Sequence, residues 1–76
     1  MTAATPTRIT NAEAMGKLIR DRRRELQMSQ EAVASVTGIA QPNLSKIERG
    51  KSSAELQTYL RLLSALGIDL TGSARS

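Results

Sequence analysis

Residues 30–49 constrain the fold of this chain more than any other stretch. Two short amphipathic helices fit the stretch, joined by a turn at Gly38, a residue type that tolerates the positive φ of such a turn. Ala34 is small where the second helix must approach the first closely. Apolar residues occur where two crossed helices need inward-facing side chains, at Val33, Ile39, Leu44 and Ile47. The stretch therefore predicts two helices that cross at a short, glycine-containing turn.

The second of these helices, from about Gln41 to about Arg49, has two chemically different faces. At about 100° per residue, its polar side chains and one proline fall within an arc of roughly 140°. Leu44 and Ile47 fall on the opposite side. The residues of the arc are Gln41, Pro42, Ser45, Lys46 and Arg49. Pro42 suits a first helical turn, where its missing N–H costs nothing. Ala40, the residue before the helix starts, is a poor N-cap.

The arc has the chemistry of DNA base recognition. Gln41 can pair with adenine N6 and N7, and Lys46 can donate to guanine or to a phosphate. Ser45 discriminates weakly, and Pro42 offers an apolar contact to a thymine methyl group. In isolation an ordinary solvated helix face explains these residues equally well. Their position on the second of two helices joined by a short turn favours base reading by Gln41, Pro42, Ser45 and Lys46.

Composition excludes most other functions. The 76 residues allow one domain, and they contain no cysteine and no histidine, so the commonest general base and the commonest metal ligands are missing. We therefore expect no catalytic residues, no metal and no cofactor. A net charge of +4 is compatible with a polyanionic partner. No apolar run approaches the ~18 residues of a membrane span, and no signal peptide is visible, so a cytoplasmic location is expected.

The flanking segments complete the predicted domain. Thr10 and Glu13 form a capping box for a first helix that ends near Gln27. A fourth helix follows a candidate capping box from Ser52 to Glu55 and ends near Leu66. It carries more apolar surface than one stripe, so a second subunit is expected to cover the excess. Residues 68–71 alternate like a short strand. The predicted dimer interface comprises Tyr59, Leu62, Leu63, Leu66, Ile68 and Leu70. Residues 1–8 are predicted to be a disordered tail, 9–71 the domain and 72–76 a flexible tail.

The motif from Leu44 to Lys51, within a match from Ile9 to Leu70, resembles the Xre (lambdoid repressor-like) helix-turn-helix superfamily. Within that superfamily the chain is most similar to HipB-type antitoxins. The resemblance implies an all-α, lambda-repressor-like bundle of four helices with a short C-terminal strand, assembled as a homodimer. It also implies a palindromic operator in double-stranded DNA and a HipA-like toxin kinase as partner, with autoregulation of the operon.

Further site residues follow partly from the resemblance. It implies a structural ion pair between Arg23 and Glu48. This pair joins the first helix to the base-reading helix from about Gln41 to about Arg49. The resemblance also implies that Gln30 bonds a DNA phosphate beside helix N-terminal amides, which favour anions. Ser29 caps the same helix, while Arg49 and Lys51 flank Gly50 where DNA backbone would run. The predicted phosphate contacts are Ser29, Gln30, Asn43, Arg49 and Lys51.

Two other hypotheses stay open at the level of sequence. The chain could be a stand-alone Xre-family regulator without a toxin, because the antitoxin role comes from resemblance alone. It could also be a protein-interaction adaptor that uses the same fold without reading DNA. A neighbouring reading frame for a kinase-like protein would distinguish an antitoxin from a stand-alone regulator. DNA titration at two salt concentrations would distinguish a DNA-binding protein from an adaptor.

Overall fold

The computed structural model describes residues 6–52 and 54–75 and contains four helices. They are α1 (Ala12–Glu25), α2 (Gln30–Thr37), α3 (Gln41–Glu48) and α4 (Leu56–Ala65). The described residues contain no strand, and residues 68–71 are irregular, because a single strand has no neighbour in one subunit with which to form a ladder. None of the described helices is both long and apolar enough to span a membrane. The expectation of an all-α fold is confirmed, while the predicted disorder of residues 1–5 lies outside the described residues.

Helix α1 begins and ends differently from the prediction. Its N-cap is Asn11 rather than Thr10, and the Asn11 side chain accepts the Ala14 N–H at 2.7 Å. Both residue types cap well, so sequence alone could not choose between neighbours. The helix ends at Glu25, after which Gln27 adopts a φ of 56°. The Gln27 N–H donates to the Arg24 carbonyl at 2.9 Å and the Met28 N–H to the Arg23 carbonyl at 3.1 Å, the pattern of a Schellman cap.

Because Gln27 occupies a left-handed position that glycine adopts without strain, Gln27→Gly is expected to stabilise the domain. The strain of a side chain there costs roughly 1–2 kcal/mol, and the greater freedom of glycine in the unfolded chain cancels part of the gain. We expect a net gain of about 0.5–1 kcal/mol, or an increase of several degrees in Tm. Thermal unfolding followed by circular dichroism measures this, with Gln57→Gly inside α4 as the destabilised control. A lower Tm for Gln27→Gly would contradict the assigned backbone conformation.

One apolar core lies where the four helices meet. The predicted inward-facing residues Val33, Ile39, Leu44 and Ile47 are all buried. The other core members are Ile19, Leu62, Leu63 and Leu66. Exposure of the last three is only 0–1%, which corrects the prediction that Leu62, Leu63 and Leu66 face a second subunit. Their side chains fill the interior of a single subunit, since α4 closes the core over α1 and α2.

The other predicted interface residues lie at the edge of this core. Tyr59 and Ile68 are half-buried and pack against it, and the Tyr59 hydroxyl donates to the Ser52 carbonyl at 3.3 Å. Leu70 is 45% exposed. The most exposed leucines of α4 are instead Leu56 and Leu60, at 64% and 42%. They are four residues apart and therefore share one helix face.

Helix α1 crosses the end of α3 at a position that admits only glycine. A Cβ added to Gly16 would lie 2.3 Å from the Ile47 carbonyl oxygen and 2.8 Å from the Glu48 carbonyl oxygen. Both neighbours are backbone atoms, so no side-chain rotation relieves the contact. No local sequence pattern marks Gly16, although this close approach sets the position of α3 relative to α1.

Candidate nucleic-acid interface

The turn between α2 and α3 is held by its own hydrogen bonds. Gly38 adopts a φ of 75°, and its N–H donates to the Ala34 carbonyl at 2.9 Å. The buried Thr37 hydroxyl donates to the Val33 carbonyl at 2.8 Å and accepts the Ile39 N–H at 3.3 Å. A buried hydroxyl that uses both capacities costs little desolvation energy. The turn therefore fixes the angle at which α3 leaves α2.

Helix α3 presents the polar face that its sequence predicts. Leu44 and Ile47 are buried, Ser45 is half-buried, and the remaining residues of the face are exposed. These exposed residues are Gln41, Pro42, Lys46 and Arg49, and Asn43 to one side of the face is exposed as well. The N-cap Ala40 makes no side-chain capping bond, as expected, and Pro42 lies in the first turn. The Arg49 Nε donates to the Ser45 carbonyl at 3.3 Å, so this guanidinium folds back along the helix.

Identifiable caps lie at the start of α2 and at the end of α3. At the start of α2, the Ser29 side chain accepts the Ala32 N–H at 3.0 Å. At the end of α3, Gly50 has a φ of 69°. Its N–H donates to the Ile47 carbonyl at 3.0 Å, and the Lys51 N–H donates to the Lys46 carbonyl at 2.9 Å. This Schellman cap directs Lys51 away from the helix into solvent.

A buried ion pair between α1 and α3 holds α3 in position. Arg23 Nε lies 2.7 Å from Glu48 Oε2 and Arg23 Nη2 lies 2.9 Å from Glu48 Oε1, a bidentate arrangement between α1 and α3. Arg23 Nη1 also donates to the Met28 carbonyl at 2.8 Å. The hydrogen bond to Glu48 raises the pKa of Arg23, against the opposing effect of burial, so the guanidinium stays charged. Its geometry satisfies the groups that burial removes from water.

Gln30 connects this ion pair to the surface of α3. Its Nε2 donates to Glu48 Oε1 at 3.1 Å, and its Oε1 accepts from Gln41 Nε2 at 2.7 Å. All three residues were predicted to belong to the site, but the bonds between them were not predicted. No sequence signal indicates these bonds, because they depend on the angle between α2 and α3.

The cations on this side of the molecule are free to meet an anionic partner. Lys46, Arg49 and Lys51 are exposed, and within residues 6–52 and 54–75 none of them forms an ion pair. By contrast, two arginines of α1 are engaged: Arg23 pairs with Glu48, and Arg22 Nε donates to the Leu66 carbonyl at 2.9 Å. Three exposed cations therefore lie along and just beyond the exposed face of α3, where they raise the local affinity for a polyanion.

Two crossed helices with a rigid turn, an exposed polar second helix and unpaired cations beside it define a helix-turn-helix module. A helix-turn-helix family model matches residues 19–72. The chain belongs to this family of Xre-type transcriptional regulators.

Sequence comparison points in the same direction. An uncharacterized HTH-type transcriptional regulator from Haemophilus influenzae is 37% identical over 49 residues, which cover 64% of this chain. The matched region spans 50% of that relative, so the chain accounts for about half the length of the relative it matches.

Solved structures share the fold. The restriction-modification controller protein C.AhdI from Aeromonas hydrophila matches with a TM-score of 0.72 and 29% identity, over 76% of this chain and 88% of that one. A HipB–O4 20mer complex matches with a TM-score of 0.79 and 20% identity, over 91% of this chain and 97% of that one. A HipA–HipB–O2–O3 complex matches to the same extent. At 20% identity, the two HipB structures show a common fold.

Proposed function

We propose that the chain is a dimeric, sequence-specific DNA-binding repressor that serves as the antitoxin of a toxin–antitoxin pair and regulates its own operon. The observation that carries DNA reading is the exposed polar face of α3, held rigidly by the Gly38 turn and by the buried Arg23–Glu48 pair. A repressor acts on chromosomal DNA, so the proposal places the chain in the cytoplasm. No catalytic role is proposed for any residue.

In this proposal α3 enters the major groove, which admits an α-helix. Gln41, Pro42, Ser45 and Lys46 read base edges, because they occupy the outward face of the helix. Asn43, Arg49 and Lys51 lie to the side or beyond the end of the helix and contact phosphates. Ser29 and Gln30 contribute a phosphate site at the first turn of α2, where backbone amides and the second N–H of the Gln30 amide are available.

The division between base and phosphate contacts predicts two different mutant phenotypes. Gln41→Ala should cost roughly 1–3 kcal/mol on the operator and relax the preference at one base pair. Arg49→Ala should weaken binding to all sequences equally and lower the salt slope by about one unit per half-site. Titration of operator and random DNA at two salt concentrations separates these effects. Identical behaviour of the two variants on both DNAs would contradict the assignment.

A dimer is proposed because helix-turn-helix repressors read two half-sites about 34 Å apart. With Leu62, Leu63 and Leu66 in the core, the exposed leucines of α4 that remain for a partner subunit are Leu56 and Leu60. Leu70 is exposed as well, and residues 68–71 would gain a strand partner by pairing with their copy across the two-fold axis. Exposed leucines of this size are typical of an association surface.

The antitoxin role is supported by the resemblance of the whole chain to HipB-type proteins and by the fold shared with HipB. Since α3 occupies the DNA groove, the surfaces that remain for a toxin are the outer faces of α1 and α4 and the two tails. We therefore expect a HipA-like kinase encoded beside this chain to co-elute with it in gel filtration, two copies per dimer, with and without operator DNA.

Sedimentation of the chain alone at micromolar concentration should show a dimer. A concentration-independent monomer would contradict the dimer.

If no adjacent gene product co-elutes, the antitoxin role falls and a stand-alone regulator takes its place. Two observations favour this second candidate. The relative from Haemophilus influenzae is described only as a transcriptional regulator, and C.AhdI, at 29% identity, is a restriction-modification controller.

A further inference from the structure

The Arg20 guanidinium makes no hydrogen bond among the residues that the structure describes. Its Nε is buried and has no partner. The carboxylate oxygen Asp21 Oδ1 lies 3.9 Å from this Nε, which is beyond hydrogen-bond distance. By contrast, Arg23 on the same helix forms a bidentate pair with Glu48. Arg20 therefore carries a charge and a set of donors that the fold itself does not use.

The carboxylate beside Arg20 is already engaged by another cation. Lys17 Nζ lies 2.6 Å from Asp21 Oδ2, and this hydrogen bond lowers the pKa of Asp21. The charges of Arg20 and Arg24 lower it further. Three cations therefore surround one carboxylate, and the excess charge on this part of α1 is positive.

Arg20 lies on the side of α1 that faces α3. Four residues before it, Gly16 approaches the Glu48 carbonyl, and three residues after it, Arg23 pairs with the Glu48 carboxylate. Residues three and four apart on a helix share one face. Arg20 is half-buried, with 38% of its side chain exposed. An arginine in such a place can bury its stem against the protein and extend its charged end into solvent.

Two of the proposed phosphate contacts lie on either side of this position. Gln30, at the first turn of α2, donates to the Glu48 carboxylate that Arg23 holds. Arg49 follows Glu48 in the chain and so lies at the end of α3 that Gly16 approaches. The stretch of α1 between these two points carries Arg20.

We propose that Arg20 contacts a DNA phosphate between those contacted by Gln30 and by Arg49, which adds α1 to the DNA interface. The inference rests on the proposed DNA-binding function. A phosphate oxygen accepts a strong, charge-assisted hydrogen bond from a guanidinium. Because Arg20 donates to no protein group, turning its side chain toward the phosphate breaks no hydrogen bond, and it releases Nε from a site without an acceptor.

The first test measures how binding of the full chain to its operator and to random DNA depends on salt. Arg20→Gln should lower the salt slope by about one unit per half-site and weaken binding to both DNAs by the same factor, about threefold or more at low salt. The variant should fold, since it loses no hydrogen bond and glutamine forms helices well. Arg20→Lys keeps the charge and should keep the slope. Arg75→Gln removes the same charge outside the four helices and is the control, with an unchanged slope.

A second measurement locates the phosphate. The phosphates of one half-site are replaced one at a time by neutral methylphosphonates, and the affinity for each DNA is measured. The wild-type chain should lose affinity at a phosphate where Arg20→Gln shows no further loss. Arg49→Ala should still lose affinity at that phosphate, because Arg49 is proposed to contact a different one.

An unchanged salt slope in Arg20→Gln overturns the inference. An equal change of slope in Arg75→Gln also overturns it, because the effect would then come from net charge alone. So does a loss of slope in Arg20→Lys as large as that in Arg20→Gln, or a loss of affinity for the operator without a loss for random DNA. A wild-type chain that binds neither DNA is a different result, which contradicts the proposed function itself.

Discussion

Gly16→Ala is expected to destabilise the domain by about 3 kcal/mol or more, a large part of the roughly 5–10 kcal/mol available to a chain of this size. The added Cβ would lie 2.3 Å from the Ile47 carbonyl oxygen, so α1 and α3 must move apart. The separation would also loosen the core beneath α3. In a helix without this contact, glycine-to-alanine exchange increases stability by roughly 1 kcal/mol. A loss of stability in Gly16→Ala would therefore indicate the close approach of α1 and α3.

Chemical denaturation followed by circular dichroism measures the effect of Gly16→Ala. Gly72→Ala is the matched control, because a Cβ there meets nothing within 4 Å, and its stability should stay within about 0.5 kcal/mol of wild type. A Gly16→Ala variant as stable as wild type would show that α1 and α3 do not approach this closely.

Glu48→Gln is expected to destabilise the domain by about 3–5 kcal/mol, because it leaves the charge of Arg23 buried without its partner. The side chains of Arg23 and Glu48 are only 11% and 2% exposed, so water cannot replace the lost carboxylate. The double variant Arg23→Met with Glu48→Met should recover most of the loss, since neither charge then remains.

A double-mutant cycle built from thermal melts tests this coupling. Asp21→Asn provides the control, because the Lys17–Asp21 pair is exposed and exposed pairs contribute little to stability. An unchanged Tm for Glu48→Gln would mean that the charge is not buried. If that variant also lost DNA binding, Glu48 would act mainly in recognition.

The parts of the fold that depend on local pattern could be predicted from sequence. The apolar spacing of Val33, Ile39, Leu44 and Ile47 matches their burial in the structure. Gly38 lies at the turn with the positive φ that its position suggests. Such features depend on a few neighbouring residues, and periodicity records them directly.

Features that depend on the arrangement of helices could not be predicted in this way. Periodicity shows that Leu62, Leu63 and Leu66 are apolar, but it does not say whether their own subunit or another covers them. Nothing in the sequence marks Gly16, because close approach requires knowing which helix crosses α1. The bonds of Gln30 likewise join residues from different helices, and only the tertiary structure brings them together.

DNA reading by α3 is tested most directly by selecting bound sequences from a random DNA pool with the full chain. We expect enrichment of a palindrome whose half-sites lie about 10–10.5 bp apart centre to centre. The wild-type affinity for the selected sequence should exceed its affinity for random DNA by about 10³-fold or more, and Gln41→Ala should lose preference at one position in each half-site. A pool without any enriched sequence, with equal affinity for all DNA tested, would contradict sequence-specific recognition.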